Sequence, residues 1–185
     1  MKQCRMNRRE VMEAVVATTA AMATGDAGAQ PSASGQNRFA QEFLPIWKVS
    51  KEVTVEFARA MPEEYYSFRP TPDVRSFAEQ MTHVAESNIT WVARFVKGEK
   101  PPNNNFKENQ TKAQIVQWLE RSFDYVASVA RDLDDKKAEV VVDFFDGKCS
   151  KSRILWYVRD HVTHHRGQTV IYFRLKGLVP PRYRA

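Results

Sequence analysis

The clearest structural signal in the chain comes from residues 150–177, which read SKSRILWYVRDHVTHHRGQTVIYFRLKG. Apolar side chains recur in this segment at three- and four-residue spacing, as expected of an amphipathic helix. A serine, Ser150 or Ser152, can cap the first turn, and Gly177 can cap the last, because glycine readily adopts the left-handed conformation found there. The segment therefore predicts one long helix that ends at Lys176.

Three earlier segments have the same helical period. They cover approximately residues 38–60, 76–98 and 111–133. The second begins with a capping box formed by Ser76 and Glu79, and the third with one formed by Thr111 and Gln114. In a capping box each of the two side chains accepts a hydrogen bond from an otherwise free backbone N–H, so these pairs indicate where the helices start.

Four amphipathic helices joined by proline-marked loops predict an all-α fold, a four-helix bundle. The connections at 65–75 and 134–150 are long, so a simple up-down-up-down order is not required. Residues 140–145 form a β-like apolar run that is followed by the turn dipeptide Asp146-Gly147. This run predicts a short strand or extended arm before the last helix.

The first 29 residues have the features of an export signal. Basic residues, including the pair Arg8-Arg9, precede a weakly apolar stretch at 11–23, and residues 27–29 (AGA) form a small-x-small cleavage pattern. An arginine pair directly before the apolar stretch is typical of twin-arginine signals. The alternative is an amphipathic N-terminal helix that is never removed.

The sequence accordingly predicts an export signal at 1–29, a flexible lead-in at 30–37 and a helical-bundle domain at 38–185. Such a signal leads us to expect an exported, periplasmic protein. Cleavage after residue 29 would remove Cys4 and leave Cys149 alone, so no disulfide could form within the mature chain.

Composition and charge exclude several classes of protein. The formal net charge is +6, but the basic residues are spread along the chain and form no stripe interleaved with aromatics, so we expect no nucleic-acid partner. No uncharged apolar run approaches the roughly 18 residues of a membrane span. With 43% apolar and 27% charged residues, the composition is that of a folded globular domain.

The histidines give the best indication of chemistry. His161 and His165 are four residues apart, so on a helix they point the same way, at about −20° and +20° from Ile154. They lie in the middle of the apolar stripe, where an imidazole without a polar partner is costly. A shared metal ion would satisfy both, as in zinc sites built on an i, i+4 pair. Internal hydrogen bonds or a water-filled cleft are the alternatives.

Two further histidines are available. His164 falls near −80° on the same helix, at the edge of the apolar stripe, where a supporting or surface role is expected; its pairing with His161 is a minor alternative. His83 lies off the apolar stripe of the second helix, which by itself favours a solvated position, although a cleft open to solvent would fit as well. Three protein ligands with one open position are typical of catalytic zinc.

A set of ordered motifs adds a family to this interpretation. The motifs are 61–72 (MPEEYYSFRPTP), 74–83 (VRSFAEQMTH), 160–168 (DHVTHHRGQ) and 177–181 (GLVPP). Together they resemble the DinB family of metal-binding four-helix bundles, and the resemblance extends from about Phe39 to Tyr183. It implies a divalent-metal triad of one histidine from the second helix and an i, i+4 pair from the fourth, which correspond to His83, His161 and His165.

The same resemblance implies a function. Characterised members include transferases and an isomerase that use low-molecular-weight thiols, so we expect zinc or nickel and a metal-dependent enzyme that activates a thiol or water toward a small molecule. Such an enzyme would be thiol transferase-like or hydrolase-like. The alternative is an exported bundle that binds a metal or small ligand without catalysis. A homodimer is expected by analogy only.

Several residues around the histidines have expected supporting roles. Gln168 and Tyr172 continue the face of the histidine pair and could line a substrate pocket. Glu86 and Ser87 could orient His83 or a bound water, although ordinary surface positions are the more common outcome. Arg166 belongs to the motif shared with the family, and we expect a structural role for it, such as pairing with a carboxylate.

Overall fold

The computed structural model describes residues 37–102 and 110–184. Its helices are α1 (Arg38–Ala60), α2 (Phe77–Trp91), α3 (Lys112–Asp132), α4 (Asp135–Ala138) and α5 (Lys151–Leu175). A 3₁₀ turn at Glu63–Tyr65 follows α1, and a π-helical turn at Val92–Lys97 continues α2. The strands β1 (Val141–Phe144) and β2 (Gly147–Ser150) pair antiparallel as a hairpin.

The predicted fold class is confirmed. The four predicted helices correspond to α1, α2 with its π-helical turn, α3 and α5, and the predicted β-like arm is the β1–β2 hairpin. The one-turn helix α4 was not predicted. The predicted export signal, and the lead-in up to residue 36, lie outside the described residues. Asn37, the last residue of that lead-in, is the N-cap of α1, and its side chain accepts a hydrogen bond from the Ala40 N–H.

The helix starts follow the local sequence rules. Both hydrogen bonds of the capping box are present at Ser76 and Glu79, and both are present at Thr111 and Gln114. Ser150 caps α5 through the backbone N–H of Arg153. These caps fix where α2, α3 and α5 begin, and the start of α2 in turn fixes the height of His83 in the bundle.

The four long helices are not arranged in simple alternation. Helices α1 and α2 each pack against α3 and α5, so α1 and α2 occupy opposite corners of the bundle. Asn37, at the start of α1, donates to the Arg131 carbonyl at the end of α3, so these helices are antiparallel. Phe77, at the start of α2, packs against Phe173, near the end of α5, so this pair is antiparallel as well.

The relative directions of the remaining helix pairs follow from two further contacts. Phe43 near the start of α1 meets Trp156 near the start of α5, and Phe57 meets Phe173 near their ends, so α1 and α5 are parallel. Helices α2 and α3, which follow one another in the chain, must then be parallel too. No tight turn can join parallel neighbours, so up-down-up-down order is excluded. The functional consequence is that α2 lies antiparallel beside α5, the helix that carries three of the histidines.

The bundle encloses a largely aromatic core. The largest fully buried side chains include Phe43, Trp47, Phe77, Phe123 and Phe173. The Trp47 indole N–H donates to the Phe123 carbonyl at 2.9 Å, which satisfies a polar group that would otherwise be costly to bury. In residues 37–102 and 110–184 no helix combines the length and the apolar character needed to cross a membrane.

Candidate metal centre

The three histidines of the predicted triad come together between α2 and α5. His83 lies in the second turn of α2, and His161 and His165 lie on successive turns of α5. One ring nitrogen from each lies within 4.8 Å of the others. The closest pair is His83 Nε2 and His161 Nε2, 3.2 Å apart. The antiparallel packing of α2 on α5 thus joins residues that are 78 positions apart in the chain.

The spacing of these nitrogens suits a shared ion. Two imidazole nitrogens bound to one tetrahedral zinc at about 2.0–2.1 Å would be about 3.3 Å apart. The 3.2 Å between His83 and His161 is close to that separation. His161 Nδ1 is buried without a hydrogen-bond partner among the described residues, so this ring has few polar contacts other than its histidine neighbours. The donor set, three imidazoles, is one that zinc and nickel accept.

Gln80 holds the ring of His165 in place. His165 Nδ1–H donates to Gln80 Oε1 at 2.8 Å, so the Nε2 lone pair of His165 is free to face the other imidazoles. The Gln80 amide donates in turn to Gln168 Oε1 at 3.0 Å and to the Tyr172 hydroxyl at 3.3 Å. Tyr172 donates to the Arg75 carbonyl at 2.5 Å. This chain of bonds fixes both the orientation and the tautomer of His165.

The site keeps its imidazoles neutral. Burial lowers the pKa of His161 to about 3 and that of His165 to about 4, and repulsion by the neighbouring imidazoles, and then by Arg75, adds to both effects. Burial and the Arg75 charge also lower the pKa of His83. Neutral imidazoles have free lone pairs at neutral pH, which is the form that binds a metal ion.

These shifts predict an acid-sensitive fold for the metal-free protein. In the unfolded chain histidine titrates near pH 6.5, whereas His161 and His165 titrate near 3 and 4 in the folded state. Below about pH 6.5 the unfolded chain therefore binds more protons, and the free energy of unfolding should fall as the pH falls from 7 to 5. Urea unfolding of chelator-treated protein at several pH values measures this slope.

The matched variant for that experiment is His161→Leu, which removes one buried titrating group. Its free energy of unfolding should decrease less between pH 7 and 5 than that of the unmodified protein. Equal slopes in the two proteins would show that His161 is not held neutral in the folded state.

A cleft opens beside Gln80, the residue that holds His165. It has a volume of about 640 Å³ and is lined by residues that include Asp73, Arg75, Gln80, Gln168 and Tyr172. Gln80 thus contacts His165 on one side and the cleft on the other. A small molecule in this cleft would lie against Gln80, one hydrogen bond away from His165, and the expectation that Gln168 and Tyr172 line a pocket agrees with this geometry.

The sequence also singled out His164, Glu86, Ser87 and Arg166, and none of these belongs to the three-imidazole cluster. His164 is exposed and accepts a hydrogen bond from Gln168 at 3.0 Å, as expected of a supporting residue. Glu86 is exposed and Ser87 is buried, and neither belongs to the three-imidazole cluster. Arg166 is buried, but its partner is the Thr54 hydroxyl at 3.3 Å and not the expected carboxylate.

Sequence reasoning missed three residues of this site. Gln80 is one turn before His83 and is buried among the apolar residues of α2, a position at which a polar side chain needs a partner. Arg75 directly precedes the N-cap of α2. Trp91 packs against His161 with ring centroids 4.5 Å apart. The amide of Gln80 among apolar residues could have indicated a buried polar partner from the sequence alone. The roles of Arg75 and Trp91 depend on tertiary packing.

Comparison with known proteins agrees with this fold. The sequence model of the DinB family matches residues 35–184. The uncharacterised protein YjoA of Bacillus subtilis (strain 168) is 22% identical over 130 residues, which is 69% of this chain and 84% of YjoA.

Two solved structures have a similar fold. A DinB-like protein from Bacillus cereus ATCC 10987 superposes with a TM-score of 0.69 at 19% identity, over 78% of this chain and 97% of that one. The structure of the DinB-like protein YjoA from Bacillus subtilis gives a TM-score of 0.63 at 21% identity, over 80% of this chain and 98% of that one.

Proposed function

The chain belongs to the DinB family, and from this membership and its converging imidazoles we propose that it is a divalent-metal-dependent enzyme. His83, His161 and His165 are the proposed ligands, and zinc or nickel is the proposed ion. The observation that carries the proposal is the convergence of three imidazoles within 4.8 Å, one of them hydrogen-bonded to a residue that lines an open cleft. Three protein ligands leave a coordination position for water or substrate.

The proposed chemistry is activation of a nucleophile. A bound divalent ion lowers the pKa of a coordinated water or thiol and so supplies an anion at neutral pH. The protein's own residues perform the remaining tasks. Gln80 orients His165, and the cleft next to Gln80 admits the substrate. The nucleophile is water in a hydrolase-like reaction and a small thiol in a thiol transferase-like reaction.

Turnover by the purified protein tests this proposal. The protein is loaded with zinc or nickel and assayed for hydrolysis of p-nitrophenyl acetate and for transfer of a thiol to monochlorobimane. We expect activity in at least one assay that a chelator removes and that His161→Ala lacks. The protein with His164→Ala is the control and should keep that activity. A protein that binds its metal but is inactive with both substrates would favour the alternative, a non-catalytic metal- or small-ligand-binding bundle.

The role of Gln80 gives a separate prediction. Gln80→Leu leaves the His165 Nδ1–H without its acceptor, and loss of such an outer partner typically weakens metal binding about 10–100-fold. Gln80→Glu keeps an acceptor and should retain most of the affinity. Metal affinities measured by competition with a chromogenic chelator test both variants.

The control for Gln80→Leu is Gln117→Leu, the same substitution at an exposed position of α3. It should leave metal affinity unchanged. If Gln80→Leu binds metal as tightly as the unmodified protein, the hydrogen bond to His165 has no role in holding the ion.

Export and self-association belong to the same proposal. We infer that residues 1–29 direct export by the twin-arginine route, that the mature protein is periplasmic and that it forms a homodimer. The pair Arg8-Arg9 supports the first point. Cell fractionation of the full chain and of its Arg8→Lys, Arg9→Lys variant tests the route, since the variant should remain in the cytoplasm. Light scattering measures the oligomeric state.

A further inference from the structure

An aromatic wall borders His161 at the end of α2, opposite the helix end that lines the cleft. It consists of Trp91, Phe95, Phe144, Phe145 and Tyr157. The ring centroid of Trp91 is 5.9 Å from that of Phe144 and 5.3 Å from that of Phe145. Phe144 also packs against Phe95 at 5.0 Å and stacks on Tyr157 at 5.6 Å. Because Trp91 also contacts His161, at 4.5 Å, the wall begins directly at the candidate metal centre.

Two rings of the wall are exposed, and one of them has an unfavourable backbone conformation. Phe145 is 61% exposed and Tyr157 is 40% exposed, so neither ring is needed to fill the core. Phe145 occupies the turn of the β1–β2 hairpin with φ of 49°, a left-handed conformation that is unfavourable for an aromatic residue. Glycine would adopt this conformation without strain. Strained residues of this kind cluster at sites that bind ligands.

A positive charge lies on the other side of the histidines. Arg75 is exposed and lines the cleft that Gln80 and Gln168 also line. No salt bridge joins Arg75 to any residue in the described part of the chain, not even to Asp73, which lines the same cleft. A free guanidinium at the entrance of a cleft is well suited to a carboxylate or a similar planar anion.

These features follow one another along the antiparallel pair of helices α2 and α5: a guanidinium, three imidazoles and an aromatic wall. We propose that the site binds a small anionic molecule with an aromatic group, its anionic group at Arg75, its aromatic group on the wall and its reacting atom at the imidazoles. The inference rests on the proposed function because it names the substrate class of that site. It goes beyond the function by assigning specificity to Arg75 and to the hairpin residue Phe145.

Three probe molecules test this substrate class. The dissociation constants of 3-phenylpropanoate, propanoate and 3-phenylpropan-1-ol are measured by ligand-observed NMR on the zinc-loaded protein. The first has both recognition groups, the second lacks the ring and the third lacks the charge. We expect 3-phenylpropanoate to bind about tenfold more tightly than either of the others, as one aromatic contact or one arginine–carboxylate pair provides.

Two variants assign the preferences to residues. Phe145→Gly removes a ring and relieves the backbone strain, so it should fold at least as stably and lose most of the preference for the phenyl group. Arg75→Gln should lose most of the preference for the carboxylate while its affinity for the alcohol is unchanged. The controls are Tyr183→Ala and Arg174→Gln, both at exposed positions outside the wall and the cleft, and both should behave like the unmodified protein.

The outcomes separate this inference from the proposed function, because the zinc content of each sample is measured first. Zinc bound without preference among the probes, or with preferences that Phe145→Gly and Arg75→Gln leave intact, would overturn the inference alone. If the unmodified protein binds no zinc but shows both preferences, and the variants lose them, the proposed function is overturned and the ligand class is supported. Absence of zinc and of both preferences would overturn both.

Discussion

Replacing His161 and His165 together by alanine is expected to abolish binding of a divalent ion. The purified protein should bind about one zinc or nickel ion per chain, and the double variant should bind almost none, because two of three proposed ligands are lost. The loss of affinity should exceed the roughly 10–100-fold that follows from the loss of an outer partner. Elemental analysis after equilibrium dialysis measures both quantities.

The matched control for the double variant is His164→Ala. His164 is on the same helix, next to His165, but its side chain is exposed and bonds to Gln168. It should keep about one ion per chain. A His164→Ala protein that loses its ion, or a double variant that keeps it, would place the metal somewhere other than the three-histidine cluster.

The largest effect on stability is expected for Phe77→Ala. Phe77 is fully buried at the start of α2, with ring centroids 5.1 Å from Tyr66, 6.1 Å from Tyr172 and 6.0 Å from Phe173. Truncating a buried phenylalanine to alanine typically costs about 3–5 kcal/mol, a large share of the roughly 5–15 kcal/mol that stabilises a domain. Urea unfolding of chelator-treated protein measures the difference without a contribution from bound metal.

The control for Phe77→Ala is Leu175→Ala, at the end of α5, where the leucine is 57% exposed. Its free energy of unfolding should change by less than about 0.5 kcal/mol. If Phe77→Ala were as mild as Leu175→Ala, then Phe77 would not pack against Tyr66, Tyr172 and Phe173 as described.

The sequence was sufficient for the helices because their ends are coded locally. Ser76 with Glu79 and Thr111 with Gln114 make the hydrogen bonds that their spacing predicts. Gly98 and Gly177 end helical segments in the left-handed conformation, with φ of 72° and 70°. The positions of the helices in the sequence could therefore be predicted from short-range rules. The parallel course of α2 and α3 could not, because it depends on which helices pack together.

The candidate site was predictable in part. The spacing of His161 and His165 placed both on one face of a helix, as observed. His83 is different, because its own helix predicts a solvated position, and only the family resemblance assigned it to the triad. In the structure it is half-buried and its Nε2 faces His161, because α2 packs antiparallel on α5.

The surroundings of the site were not predictable from local patterns. The hairpin turn at Phe145 reaches Trp91 only because β1 and β2 fold back over the end of α2. The π-helical turn at Val92–Lys97 likewise has no distinct signature in the sequence. Residues that contact one another across three elements are set by tertiary packing, so their role appears only when the fold is known.

The position of the ion itself is the most direct test of the proposed metal centre formed by His83, His161 and His165. Crystals of the zinc-loaded protein, measured at the zinc absorption edge, locate the metal by anomalous scattering. We expect one strong peak between α2 and α5, at about 2.0–2.1 Å from a ring nitrogen of each of His83, His161 and His165. A peak elsewhere, or no peak between these three imidazoles in protein shown to contain zinc, would contradict the proposed centre.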